Sequence, residues 1–212
     1  MLKGVIFDMD GLMIDTEKLL TRFWCEAANH YGYPMTKEHV LGIRSLAAKY
    51  AIPHLKGIFG EDFDYYKVRG KRIELMNEFI RQNGIEKKKG LDELLDYLDS
   101  TGLKKAVATA TDLQRTTLYL SSINIIDRFD KLICGNMIEN GKPAPDIYLA
   151  AAKELELDPS ECIALEDSAH TAGCKPVMIP DLSQPDEETK KLLYACCDDL
   201  SNVIGVIQKL LR

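Results

Sequence analysis

Gly4-Val5-Ile6-Phe7-Asp8-Met9-Asp10-Gly11 is the stretch on which the reading of this chain turns. Lys3 to Phe7 is β-branched and aromatic and stops just short of a glycine turn, which predicts a fully buried parallel strand. Ligands of open α/β sheets collect at the carboxyl ends of such strands. Two carboxylates placed there, Asp8 and Asp10, repel each other and lose hydration, so a counter-charge is required. A hard divalent cation supplies it most simply, because Mg²⁺ takes oxygen ligands, usually one or two of them carboxylates. The plain alternative is an Asp-x-Asp-Gly turn with both side chains in water.

Downstream the periodicity changes. Leu19, Leu20, Phe23, Trp24, Ala27, Ala28 and Tyr31 repeat at helical spacing, predicting an amphipathic helix that ends near Gly32. Helical signals continue to about Gln82, with no convincing strand, and the aromatic stripe reads as core. From residue 90 helix and strand alternate. Helices 91–100, 113–122 and 145–156 precede strands 105–109, 131–134 and 162–166. A strand near 176–179 and helices near 186–196 and 200–211 complete the chain. Such alternation predicts a parallel sheet covered on both faces. The expected architecture is an α/β, Rossmann-like parallel sheet core, residues 1–15 and 87–212, with an all-helical cap inserted over 16–86.

Bulk properties narrow the function classes. With 33 acidic against 27 basic residues the net charge is −6, which does not suit a nucleic-acid partner. Lys87-Lys88-Lys89 is the compact basic run and reads as a solvated turn before a helix. No apolar run is long enough to span a membrane, and Met1-Leu2-Lys3 leads straight into the first strand without a signal peptide. Six cysteines without a CxxC pair read as small buried hydrophobes in a reducing cytoplasm.

Four predicted strand ends carry polar residues inside apolar runs: Asp8 and Asp10; Thr109-Ala110-Thr111-Asp112; Gly141-Lys142-Pro143; and Glu166-Asp167-Ser168. Neighbouring strands lie about 5 Å apart, so these groups can converge. Carboxylates, a hydroxyl and an ammonium suit phosphoryl transfer, where electrostatic positioning dominates. Taken singly each has a bland reading: Thr109 as a strand residue, Lys142 as a turn lysine, Glu166-Asp167-Ser168 as a helix cap. Taken together, with Asp15-Thr16-Glu17 and Gly-Lys-Pro-x-Pro-Asp, they resemble the signatures of the haloacid dehalogenase superfamily over essentially the whole chain. The branch resembled is that of helical-cap phosphatases and β-phosphoglucomutase-like enzymes.

The resemblance implies specific roles. Asp8 would attack phosphorus and form an aspartyl-phosphate. Asp10 would protonate the leaving alcohol and then activate water. Thr109 and the Ala110 N–H would hold phosphoryl oxygens, with Lys142 neutralising charge shared with Asp8. Mg²⁺ would bind Asp8, the Asp10 carbonyl and Asp167, with Glu166 as ligand or water holder. Arg44, beside Ser45, stands where related caps contact substrate, and Asp15 and Thr16 would shape the hinge. The expected activity is Mg²⁺-dependent hydrolysis of a small phosphomonoester, by analogy a sugar phosphate, carried out by a monomer.

Two other readings remain. In a β-phosphoglucomutase-type enzyme a cap histidine occupies the place of Leu20, and a lysine that of Asp112, so both departures favour hydrolysis. A non-catalytic phosphometabolite-binding protein would have no use for the acid/base Asp10. Dehalogenation is disfavoured because relatives with that chemistry lack the second aspartate. One irregularity stands out behind Ser168. A parallel crossover needs about a dozen residues or more, yet Ala169-His170-Thr171-Ala172-Gly173-Cys174 runs almost at once into Lys175-Pro176-Val177. Either about half a dozen residues are missing from the sequence as it stands, or the loop is short and the last strand displaced. The first is the expectation, with His170 an ordinary helix residue.

Overall fold

A computed structural model describes residues 1–43, 46, 48–142, 144–166, 172–180 and 187–211. The chain divides into two compact units, Met1–Asp15 with Ile85–Arg212, and Thr16–Gly84.

The first unit is built on a sheet of β1 (Gly4–Phe7), β2 (Lys104–Thr109), β3 (Lys131–Cys134), β4 (Cys162–Leu165), β5 (Lys175–Met178) and β6 (Ala195–Cys196). The strand order is β3-β2-β1-β4-β5-β6, and every pairing is parallel. This is the Rossmann-like α/β core expected from the alternating pattern. All four residues of β1 are buried, as a strand covered on both faces must be. Side chains such as Ile6 and Phe7, with no exposed surface, each contribute about 1.5–3 kcal/mol by burial. β1 lies between β2 and β4, with Phe7 opposite both Val107 and Leu165. The residues following those strands therefore emerge side by side.

Helices α5 (Leu91–Thr101), α6 (Leu113–Ser122), α7 (Asp146–Glu154), α8 (Glu187–Leu192) and α9 (Val203–Leu211) belong to the same unit. On α7, Ile147, Tyr148, Ala151 and Ala152 pack in one cluster with Ile6, Ala106, Ala108 and Ala164 of the sheet. Beyond Asp10 the chain turns tightly. Gly11 has φ +79° and donates its N–H to the Ile14 carbonyl at 3.0 Å. The outgoing and returning passages then lie together, with Asp15 N–H on Glu86 O and Lys88 N–H on Met13 O, both at 2.9 Å.

The second unit is all helical: α1 (Thr16–His30), α2 (Lys37–Gly42), α3 (Ala48–Phe59) and α4 (Tyr65–Asn83). Trp24, Ala27 and Ala28 of the predicted stripe pack with Val40, Leu55, Phe63 and Val68 in its core. No helix among the described residues is long and apolar enough to cross a membrane.

The structure corrects one expectation in the core and decides against one alternative. The predicted helix at 186–196 is only α8, and Ala195 and Cys196 form β6 beside Val177 and Met178. A strand of two residues carries no readable periodicity, and only its partner fixes it. The alternative of a displaced last strand is not realised, because Ile163, Ala164 and Leu165 stand opposite Lys175, Pro176 and Val177. The crossover is completed over 166–174, of which 167–171, including His170, lie outside the described residues.

Gly90 shows how tightly the carboxyl-terminal segment is fitted against α5. It has φ +84°, and a Cβ there would lie 2.3 Å from the Ser201 backbone nitrogen. Lys89 also pairs with Asp199 at 2.7 Å. Gly90→Ala is expected to destabilise the protein by about 2 kcal/mol or more, through strain and overlap together. Gly102→Ala, at φ +71° with nothing within 4 Å of the added carbon, should cost about 1 kcal/mol. Denaturant titration of the two variants checks the difference.

Candidate active site

The polar groups of the sequence motifs come together in two linked clusters at the carboxyl ends of β1, β2 and β4. Asp8 directly follows β1, and Glu166 directly follows β4. Lys142 reaches both: its Nζ donates to Asp8 Oδ1 at 2.7 Å and to Glu166 Oε2 at 2.9 Å. The side chains of Lys142, Asp8 and Glu166 are 18%, 16% and 19% exposed, so the pairing is largely desolvated. The turn that carries Lys142 closes with Ala144 N–H on Gly141 O at 3.1 Å. Beneath it lies the fully buried Tyr148 ring of α7, 5.3 Å from the ammonium, close enough for a cation–π contribution.

Electrostatics within this group are uneven. Burial pushes the Asp8 carboxyl up to about 7, against the pull of Lys142, and Glu166 and Asp10 add to the rise. Burial also works against charge on Lys142, but Asp8 and Glu166 outweigh it and hold the ammonium above its ordinary value. Lys142 is therefore a fixed positive charge, and the acidic groups around it exceed what one ammonium can offset.

The second cluster surrounds Asp10. Thr109 Oγ1 donates to Asp10 Oδ2 at 3.2 Å, and Thr111 Oγ1 donates to the same oxygen at 2.8 Å. The Thr111 N–H in turn donates to Thr109 Oγ1 at 3.1 Å. Ala110, between them, is exposed. Its backbone is backed by Gly135, where a Cβ would fall 2.3 Å from the Ala110 carbonyl oxygen. Gly135 also donates its N–H to Thr111 O at 3.1 Å, and Asn136 Oδ1 accepts from Leu113 N–H at 3.1 Å. A side chain at 135 would thus displace the loop after β2.

Asp8, Asp10, Thr109, Ala110, Lys142 and Glu166 all lie in this region of the first unit, whereas Arg44 and Asp167 lie outside the described residues. Sequence reasoning placed Thr111 at a strand end without a role, and missed Gly135 and Tyr148. The Thr-x-Thr spacing after β2 was a signal for the first, because alternate strand residues share a face. Nothing local marked the other two. Asp112 is also more than a departure from a lysine pattern. It caps α6, accepting from Arg115 N–H at 3.0 Å and from Arg115 Nε at 2.6 Å. Burial tends to raise its carboxyl, but these bonds outweigh it and hold the group below the usual carboxylate value.

Asp8, Asp10 and Glu166 offer only oxygen donors, the chemistry Mg²⁺ selects. The excess of acid over base around Asp8 is what a divalent cation would offset. The donor set therefore fits Mg²⁺ in kind. Among the described residues no three His, Cys, Asp or Glu side chains gather as a metal cluster.

The helical unit has a cavity of its own, of about 210 Å³, lined by Glu17, Leu20, Thr21, Trp24, Tyr65 and Arg72 among others. The buried Arg72 guanidinium lies 5.4 Å from the Trp24 ring centre.

Comparison with known proteins gives the family and relatives of similar fold. Residues 5–175 match the family model described as haloacid dehalogenase-like hydrolase. The chain is 29% identical over 171 residues to a phosphorylated carbohydrates phosphatase of Thermotoga maritima, covering 79% of this chain and 77% of that protein. It is 22% identical over 165 residues to the fructose-1-phosphate phosphatase YqaB of Escherichia coli, covering 78% and 86% respectively. In fold it resembles CbbY of Rhodobacter sphaeroides, solved in complex with phosphate, with a TM-score of 0.80, 23% identity and 96% of each chain covered.

Gly135→Ala should displace Ala110 and weaken binding of inorganic phosphate by about 10-fold or more, the scale on which small misplacements act in preorganised sites. Isothermal titration with phosphate reads the affinity, and a melting curve reads the accompanying strain.

Proposed function

We propose that this chain, which belongs to the haloacid dehalogenase-like hydrolase family, is a Mg²⁺-dependent phosphatase of small phosphorylated metabolites, sugar phosphates foremost. The reading rests above all on the contrast between its two aspartates. Asp8 is locked to a permanent ammonium, whereas Asp10 is held by two neutral hydroxyls. Two carboxylates in such different surroundings suit opposite proton roles.

Asp8 attacks phosphorus, and the bond to the leaving oxygen breaks as the aspartyl-phosphate forms. Asp10 gives its proton to the departing alkoxide, so the product leaves as an alcohol. Water then attacks the phosphoryl group and loses a proton to Asp10. Phosphate departs, and the Asp8 carboxylate is restored. Thr109 Oγ1 and the Ala110 N–H hold phosphoryl oxygens, while Lys142 stabilises the charge that Asp8 and the phosphoryl group share. Asp8, the Asp10 carbonyl, Glu166 and Asp167 would hold Mg²⁺, which when bound would supply further counter-charge.

The helical unit is the candidate for choosing the organic part of the substrate. That unit holds a cavity of about 210 Å³, bordered by Trp24, Arg72 and Glu17, whose size suits a small molecule. Arg44 is a further candidate contact. The protein acts as a monomer in the cytoplasm, a setting in keeping with six free cysteines. Net phosphate release is favoured over phosphoryl shuttling because Leu20 stands at the sequence position where β-phosphoglucomutase-type enzymes carry a cap histidine. Asp112, engaged as the α6 cap, supports the same choice.

A panel of sugar phosphates assayed for phosphate release checks the proposal. Activity with Mg²⁺ is expected to fall to background in EDTA, and Asp8→Asn to lower it by about 10⁴-fold or more. Activity surviving both, or isomerisation of β-glucose 1-phosphate without net release, would overturn it.

A further inference from the structure

We infer that Thr111 is a positioning residue for Asp10, anchoring Oδ2 of its carboxylate so that Oδ1 carries the proton to and from substrate. This rests on the phosphatase reading above and adds a residue to it.

The polarity of the bonds around Asp10 leads to this assignment. A hydroxyl has a single proton to donate. Thr109 Oγ1 already accepts the Thr111 N–H at 3.1 Å, and its own proton points to Asp10 Oδ2 at 3.2 Å. The Thr111 hydroxyl donates to the same oxygen at the shorter distance of 2.8 Å. Two donors converging on Oδ2 anchor that oxygen and leave the proton-transfer role to the other. The arrangement cannot persist unchanged through the reaction. If Thr109 gives its one proton to a phosphoryl oxygen, it no longer donates to Asp10. Thr111 then becomes the remaining hydroxyl holding the acid/base, just when its orientation matters.

Thr111 is suited to that task. It is 9% exposed, and its carbonyl accepts the Gly135 N–H at 3.1 Å while its N–H is spent on Thr109. Backbone bonds on both sides hold the main chain from which the hydroxyl reaches Asp10. A purely structural role, a buried hydroxyl merely satisfied by a nearby carboxylate, would involve no dependence on the leaving group. A positioning role does.

The test compares Thr111→Val, which keeps the shape and removes the donor, with Thr111→Ser, which keeps the donor. Single-turnover rates are measured on p-nitrophenyl phosphate, whose leaving group needs no protonation, and on a sugar phosphate hydrolysed by the native enzyme. For Thr111→Val the sugar phosphate rate is expected to fall about 10- to 100-fold with KM little changed, the scale of misplaced acid catalysis. The p-nitrophenol burst should stay within about 3-fold of native. Thr111→Ser should restore most of the sugar phosphate rate. Equal slowing of both substrates, an unaffected Thr111→Val, or failure of serine to rescue would overturn the inference. Should Asp8→Asn abolish turnover while Thr111→Val is silent, the phosphatase reading stands and only the role of Thr111 falls. A native enzyme that releases no phosphate from either substrate would instead remove the reading itself.

Discussion

The Lys142 ammonium, bonded at once to Asp8 and Glu166, is the contact on which the rest of the site depends. Carboxylates are brought to the ends of adjacent parallel strands because the sheet demands those strand positions. Their mutual repulsion and lost hydration would oppose the fold if nothing answered them. One fixed cation answers part of that charge. Burial, with Glu166 and Asp10 adding to it, still pushes the Asp8 carboxyl up despite the pull of that cation.

The ammonium is held in place by the hydrophobic core. Tyr148 lies under Lys142, and its neighbours on α7 pack on Ile6, Ala106 and Ala108 of β1 and β2. The same strands carry Asp8 and Thr109. Core packing and site geometry are therefore set by one body of contacts, and a change in α7 would be felt at Asp8 through Lys142. On the other side Gly135 brings the end of β3 against Ala110, and no side chain fits between. Rigid elements thus bracket the loops that bear the reacting groups, the arrangement that preorganised electrostatic catalysis needs.

Much of this was legible in the amino-acid order. Continuous apolar runs mark buried parallel strands, and the change of period after Gly11 marks the helical insertion. Polar residues interrupting apolar runs pointed to Asp8, Asp10, Thr109, Lys142 and Glu166. Other features were not legible, each for a physical reason. β6 is two residues long and extended only because β5 lies beside it. The short crossover behind Glu166 looked inadequate by length, yet β5 keeps parallel register with β4. Asp112 read as a substituted lysine position, whereas its bonds to Arg115 make it a helix cap.

By itself the sequence determined the α/β class, the place of the insertion and the identity of the acidic, basic and hydroxylic groups. These follow from hydrophobic period and from which side chains can carry charge, both local properties. Only the tertiary structure decided that one ammonium would bridge Asp8 and Glu166, and that Asp10 would be gripped on a single oxygen by Thr109 and Thr111. Two of the four bonds join residues more than a hundred positions apart, Lys142 with Asp8 and Thr111 with Asp10, and Thr109 with Asp10 spans 99. Sheet order sets them, because β1 must lie between β2 and β4 before its two aspartates have neighbours at all.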